Sequence, residues 1–403
     1  MESERIFKRG LIPLVSLMCL GILLTASSFG QQNTEALKIT VGESLQIGDL
    51  GKVETADLLV SLSGAIAAFV PTRDWPGRRG KPWMAYRVSA DGGQTWTGQF
   101  EAPMPQTASP VVGVGLTAAA PPRGPFKRIG QWQDTMYSTL THSRDHGQVW
   151  FAASVAQFSD DLMDYQVENM LVAVPEALMV GKGVPKAQRT ELTRRVHPIF
   201  DRGQMVQLAD GQMLLAMYGN FKGDSKSRAL LMRSLDGGRL WRYFATIAYS
   251  AEDPDPRLPG EFSGFSRPSI ALLPNGQLLA VLQVQDSDKK PYKPLYVCTS
   301  ADQGKTWTKP QPISPHLYSI SPTLAVLDNS VVACAYGRPG LHIAFSTDNG
   351  RTWSRDKKLS KVSDAHITGQ IDMVKIGPNK LMAIGGVGAA GGTRVFPITV
   401  ERH

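Results

Sequence analysis

The chain is poor in the residues that would tie it together covalently or through a metal. It holds only three cysteines in 403 residues, and Cys19 lies in the N-terminal segment. A disulfide-built scaffold is excluded, and no Cys/His cluster has metal-site spacing, so no metal or other cofactor is expected. Cys298 and Cys334 sit inside apolar runs and are expected as buried thiols, a single disulfide between them being the other reading for an exported chain. Charged residues are sparse at 19% and form no long Lys/Arg run, so the net charge of +8 does not point to nucleic acid. After the N-terminus no apolar run is long enough to span a bilayer. Gly and Pro, 39 and 27 residues, are too few for a low-complexity chain, and the 42% apolar content can fill a large core.

The N-terminus reads as a targeting segment. Arg5, Lys8 and Arg9 precede an apolar stretch, Leu11–Leu24, and Ser28-Phe29-Gly30 offers small residues for a cut before Gln31. Residues 1–30 are therefore expected to be a signal peptide, which makes the mature chain, 31–403, secreted or periplasmic. An uncleaved anchor is the competing reading.

What the chain has in abundance is one motif, Ser-x-Asp-x-Gly-x-x-Trp. Its five copies are Ser89–Trp96, Ser143–Trp150, Ser234–Trp241, Ser300–Trp307 and Ser346–Trp353, and they take five of the eight tryptophans. The physical logic is that of a hairpin turn. The Asp carboxylate accepts from backbone N–H groups just after it, Gly supplies a positive φ, and Trp opens the next strand with a large ring to bury. A second class of turn lies upstream, at Ser63-Gly64, Asp210-Gly211, Asn275-Gly276 and Asp328-Asn329, each between apolar runs. Hairpin, strand and boxed hairpin make a four-stranded unit, and such units in series indicate a β-propeller. Glu176–Arg195 and Ala118–Phe126 read as insertions, the first with helix-forming composition.

Five boxes give five blades. His366–Val400 adds about three strands with a Gly377-Pro378-Asn379 turn, and Leu37–Ile47 is placed to complete them from the N-terminal side. The expectation is an all-β, six-bladed β-propeller of four-stranded antiparallel blades, in one domain, closed by its two termini.

The boxes and their spacing resemble the Asp-box, or BNR, repeats of the sialidase (neuraminidase) superfamily. The resemblance is specific for fold and weaker for activity. It implies a site in which arginines grip a substrate carboxylate, a Tyr paired with a Glu acts as nucleophile, and an Asp serves as acid/base. Ala67-Ala68-Phe69-Val70-Pro71-Thr72-Arg73 resembles the family's Arg-bearing strand, and Asp74 follows where the acid/base Asp is sought. Tyr336-Gly337-Arg338-Pro339-Gly340 is similar to another Arg-bearing segment, and Arg202 precedes a strand as a site arginine would.

Elsewhere the pattern departs. Glu54-Thr55-Ala56 lacks the first-strand Arg. Ser266-Arg267-Pro268 puts Arg where the Glu partner of the Tyr is expected, Gln283 stands for an Arg, and Thr368-Gly369-Gln370 replaces the Tyr motif. The resemblance thus implies an exported protein that recognises terminal, acidic sugars of glycans through Arg73, Arg202, Arg267 and Arg338. Any hydrolysis would be of exo-α-sialidase type with Asp74 as acid/base. The alternative is a non-catalytic glycan- or protein-binding propeller. Each arginine read singly is equally a solvated cation, and Asp74 read singly is a loop residue. Tyr318, Tyr336 and Glu261 are the nearest candidates for a Tyr–Glu pair.

Overall fold

The computed structural model describes residues 37–50, 56–72, 83–101, 128–133, 135–145, 148–174, 203–221, 224–286, 289–318, 320–337, 340–360, 370–388 and 391–402. The N-terminal segment expected to direct export, both expected insertions, and Arg73, Asp74, Arg202 and Arg338 lie outside these residues.

Twenty-five strands and no helix are present among the described residues. β1 (Leu37–Val41) and β2 (Leu45–Gly48) come first. The first sheet holds β3 (Asp57–Val60), β4 (Ile66–Thr72), β5 (Trp83–Ser89) and β6 (Phe100–Glu101). Next come β7 (Arg128–Trp132), β8 (Thr135–Asp145), β9 (Gln148–Phe158) and β10 (Tyr165–Val174). They are followed by β11 (Gly203–Gln207), β12 (Met213–Gly219), β13 (Arg228–Ser234) and β14 (Leu240–Ala248). Two four-stranded sheets then hold β15 (Ser266–Leu272), β16 (Leu278–Gln283), β17 (Tyr296–Ser300) and β18 (Gln311–Pro312), and β19 (Ile320–Val326), β20 (Val332–Gly337), β21 (Leu341–Ser346) and β22 (Lys357–Lys358). The last sheet is β23 (Ile371–Gly377), β24 (Lys380–Gly386) and β25 (Thr393–Arg402), joined by β1 and β2.

The structure is a propeller of five sheets, and the expectation of six blades is corrected. β7–β10 and β11–β14 were expected as two blades. They form a single closed circuit, because β7 pairs in parallel with β11 and β10 in parallel with β14. The closure by the termini holds: β1 runs antiparallel to β25, from Leu37 opposite Arg402 to Val41 opposite Ile398, and β2 pairs further along the same strand. Pairing at the seam covers the long edge of β25 and leaves only the short β1 and β2 at that side of the sheet.

Apolar layers fill each gap between neighbouring sheets. Ala280, Leu282 and Tyr296 meet Leu214, Ala216 and Leu231 in one layer. Leu279 and Val281 meet Cys334 and Ala344 in the next. Ile343 and Phe345 meet Leu381 and Phe396, and Met382 and Ile384 meet Ala68 and Val70 of the first sheet. Cys298 and Cys334 are buried free thiols, as expected, and burial pushes both well above the ordinary thiol range. The four upstream turns and the Gly377-Pro378-Asn379 turn all connect first to second strands of their sheets, as expected.

Four of the five boxes are the turns between third and fourth strands. In the fourth copy Ser300 Oγ donates to Asp302 Oδ1 at 2.8 Å and accepts from Gly304 N at 2.8 Å. Asp302 also accepts from Thr306 N at 2.9 Å and Thr306 Oγ1 at 2.6 Å, and Trp307 Nε1 closes the turn on Gly304 O at 3.1 Å. Gly304 has φ of 89°, and a Cβ there would lie 2.4 Å from Leu231 Cδ2 of the preceding sheet, so the glycine is needed twice over.

The second copy is placed differently. Ser143–Trp150 spans the junction of β8 and β9, the second and third strands of its group, with Asp145 opposite Gln148. The third-to-fourth turn there is Ser159–Asp164, which lacks the full motif. Ser159 Oγ donates to Asp161 Oδ1 at 2.5 Å, Met163 N donates to the same oxygen at 3.0 Å, and Leu162 takes φ of 60°. The Ser-x-Asp start is kept, while Gly and Trp are lost.

Candidate functional site

The first strands β3, β11, β15, β19 and β23 line a cavity of about 400 Å³ through Val60, Val206, Leu272, Val326 and Lys375, with Gln133 after β7. These residues belong to the later parts of their strands, so this apolar cavity marks one end of the axis. The starts of the same strands mark the opposite end, which we call the mouth. Arg267, the second residue of β15, is at the mouth. Arg73 directly follows the last residue of β4, Arg338 directly follows β20, and Arg202 directly precedes β11 in sequence. Those three and Asp74 lie outside the described residues.

Arg267 is held in an unusual way. Its φ is 43°, a left-handed conformation in the residue before Pro268, and the pairing of β15 with β16 is shifted between Ser266 and Ser269. The equivalent place in the next sheet repeats this: Ser321, before Pro322, has φ of 51°, and β19 shifts register between Ile320 and Thr323. A residue before proline ordinarily stays extended, and a bulge re-aims the side chain that it carries. Two such departures at equivalent strand starts are local strain of the kind that collects at binding sites.

Side chains around the two bulges explain how the strain is kept. Arg267 Nη1 donates to Ser321 Oγ at 2.6 Å. Ser321 N donates to Gln283 Oε1 at 2.9 Å. Gln283 Nε2 donates to Gln285 O at 2.8 Å and lies 3.3 Å from Asp286 Oδ1, which also accepts from Ser266 Oγ at 2.9 Å. Gln283 and Ser266 are fully buried and Arg267 is half-buried. Gln283, read from sequence as a lost arginine, is therefore the brace between two sheets.

The loop that leads into Arg267 is pinned from beneath. Lys293, with no exposed side-chain surface, pairs with Asp253 Oδ2 at 2.7 Å and donates to the carbonyls of Asp255 and Leu258 at 3.1 and 3.0 Å. Gly260 approaches Lys293 N so closely that a Cβ would come within 2.4 Å.

Two buried acids open neighbouring first strands. Asp57 begins β3, and Asp372 near the start of β23 accepts from Leu58 N at 2.8 Å. Gln370, just before β23, is 9% exposed and its Oε1 finds no partner among the described residues.

The nearest candidates for a Tyr–Glu pair do not make one. Tyr336 is buried, stacks on His342 with ring centroids 5.6 Å apart, and donates its hydroxyl to Asp356, which His342 Nδ1 also meets at 2.5 Å. Burial first, then the Asp356 charge, push the Tyr336 phenol far above its usual range, the opposite of what a nucleophile needs. Tyr318 is bonded to His316 at 3.2 Å, and Glu261 is exposed.

The family model described as a BNR repeat-like domain matches residues 126–368. The chain belongs to that family. None of the curated proteins compared matches the chain.

Among solved structures, a protein of unknown function from Dyadobacter fermentans superposes with a TM-score of 0.58 at 17% identity, covering 91% of this chain and 99% of that one. A Hadza microbial sialidase gives 0.52 at 15% identity, over 86% of this chain and 65% of that one. A Penicillium chrysogenum alpha-L-arabinanase complexed with arabinobiose gives 0.53 at 15%, over 89% and 98%. These likenesses show the shared propeller fold, which a sialidase and an arabinanase both use.

Proposed function

We propose that this chain is an exported glycan-recognising propeller that takes a terminal acidic sugar at the axial mouth. The observation that carries this reading is Arg267: a half-buried guanidinium held by Ser321 in a strained conformation where the first strands begin. Guanidinium groups match carboxylates in a bidentate geometry, and a preset side chain loses little entropy on binding. Arg73, Arg202 and Arg338, from the sequence resemblance, are the further cations proposed for the same anionic group, and Asp74 the proposed acid. The sialidase and arabinanase neighbours lend support by having glycan-directed activities on this fold. The signal-like N-terminus supports export.

Hydrolysis is the weaker half of the reading. Gln370 and Arg267 stand where the resemblance seeks the Tyr and Glu, and neither can act as nucleophile or general base. We therefore favour recognition with little or no turnover. The deciding experiment is calorimetric titration of the full chain with N-acetylneuraminic acid, glucuronic acid and glucose. Binding of an acid, with glucose silent and Arg267→Met impaired, supports the reading. No saturable binding of either acid overturns it.

A further inference from the structure

A second site lies on the outer part of the first sheet. β4 and β5 face β2 across a cavity of about 430 Å³ lined by Gln46, Asp49, Val70, Thr72, Arg87 and Gln99 among others. Along β5, Tyr86 and Val88 turn to the layer shared with Ala156 and Phe158. Strand alternation sends Arg87 to the other face, toward Ile47 and Val70, where an apolar side chain would seal the seam between sheets.

Arg87 is not satisfied among the described residues. Its Nε is buried without a hydrogen-bond partner there, and Nη2 reaches Gln99 Oε1 only at 3.5 Å. A buried donor left unpaired is costly, and such groups in native structures call for a specific reason. Nε and Nη2 form the side-on fork that accepts a two-oxygen anion. The remaining wall is polar and mixed: Gln46 and Gln99 carry amides, Thr72 a hydroxyl, and Asp49 stands exposed at the rim. A bare anion would gain nothing from Asp49, whereas a ligand with hydroxyl groups can donate to it.

We propose that this cavity binds a small hydroxylated ligand carrying one oxyanion, the oxyanion on the Nε/Nη2 edge of Arg87 and the hydroxyl groups against Gln46, Gln99 and Asp49. It is separate from the mouth, since Arg87 lies on the third strand of one sheet and Arg267 opens the first strand of another. Carboxylate and phosphate share this chemistry, and the test tells them apart.

The test uses the full chain carrying Arg267→Met, which weakens binding at the mouth, and the added Arg87 substitution separates what remains there from this cavity. Glucuronate, glucose 6-phosphate and glucose are titrated by calorimetry. The expected result is saturable binding of one or both anions, with glucose at least tenfold weaker and Arg87→Met at least tenfold weaker for the anion. Which anion binds more tightly identifies the oxyanion. If Arg87→Met does not fold, the arginine Nε–H resonances of the Arg87-containing chain decide: one of them, missing from the spectrum of Arg87→Lys, shifts on titration. No saturable binding by either anion, unchanged affinity in a folded Arg87→Met, or an Nε–H spectrum unmoved by saturating anion overturns the proposal.

Discussion

Arg267 and Ser321 join two neighbouring sheets through a 2.6 Å hydrogen bond between residues that both hold left-handed backbone before a proline. The bond ties the donor of one bulge to the hydroxyl of the next, so neither side chain can be re-aimed alone. Charge-assisted hydrogen bonds of this kind contribute about 1.5–3 kcal/mol. If the mouth binds an acid, Ser321→Ala should weaken that binding severalfold and Arg267→Met tenfold or more. Calorimetry with the acid measures both, and a Ser321→Ala protein that binds as tightly as the parent would separate Ser321 from the site.

The brace behind this pair has its own signature. Gln283→Leu removes the acceptor for Ser321 N and both amide donors while keeping the bulk. Leaving buried backbone N–H and C=O groups unpaired should cost about 1–3 kcal/mol. Gln283→Glu keeps the acceptor and loses the donors, so it should retain more acid binding than Gln283→Leu. Chemical denaturation and titration of the two variants check the order, and equal loss in both would make Gln283 a packing residue only.

The boxes give two stability predictions of different origin. Trp241 has no exposed surface and lies under the third box, so Trp241→Ala should destabilise by about 3–5 kcal/mol. Gly304→Ala should cost about 1–3 kcal/mol by overpacking, because its Cβ meets Leu231 and its φ is positive. Thermal melts measure both, and a near-parental midpoint for Trp241→Ala would rule out a buried staple.

Acid should loosen the box turns before it reaches the core. Bonds from the Thr306 hydroxyl and backbone, then from Ser300, hold Asp302 down at about 2, against 3.8 for an ordinary Asp. Asp91 is lowered in the same way by Thr95 and Ser89. A carboxyl depressed in the folded state adds stability that is complete above its unfolded value and is lost as pH falls through the folded one. Stability should therefore decline between about pH 4 and pH 2 through these groups, and Asp302→Asn should flatten that part of the profile. Denaturant midpoints across the range test it.

The propeller was legible because its turns are written in side-chain chemistry. Asp, Gly and Thr appear at Asp302, Gly304 and Thr306 for reasons local to eight residues, and the upstream Gly64, Gly211 and Gly276 turns are equally local. The sheet count was not. It depends on β7 meeting β11 and β10 meeting β14, pairings between distant residues that no motif encodes. The Ser143 box misled because its residues fit the pattern while a different turn, at Ser159–Asp164, held the place between third and fourth strands. At the mouth, Arg267 was legible as a departure from a family motif. Gln283 was legible in the same way, but its role as a brace was not, nor was Ser321, since both come from an inter-sheet approach that exists only in the fold.

The last prediction concerns turnover. A covalent nucleophile and a general acid each contribute orders of magnitude to glycoside cleavage. The Tyr336 phenol is buried, bonded to Asp356 and pushed away from ionisation. Arg267 is a permanent cation, and Gln370 carries an amide. Purified full-length chain should therefore hydrolyse a fluorogenic sialoside slowly or not at all, while still binding an acidic sugar. Tyr336→Phe should leave any residual rate unchanged. Vigorous turnover that falls by orders of magnitude in Asp74→Asn would show instead that the acid/base position is intact and that a nucleophile outside the described residues completes an active sialidase.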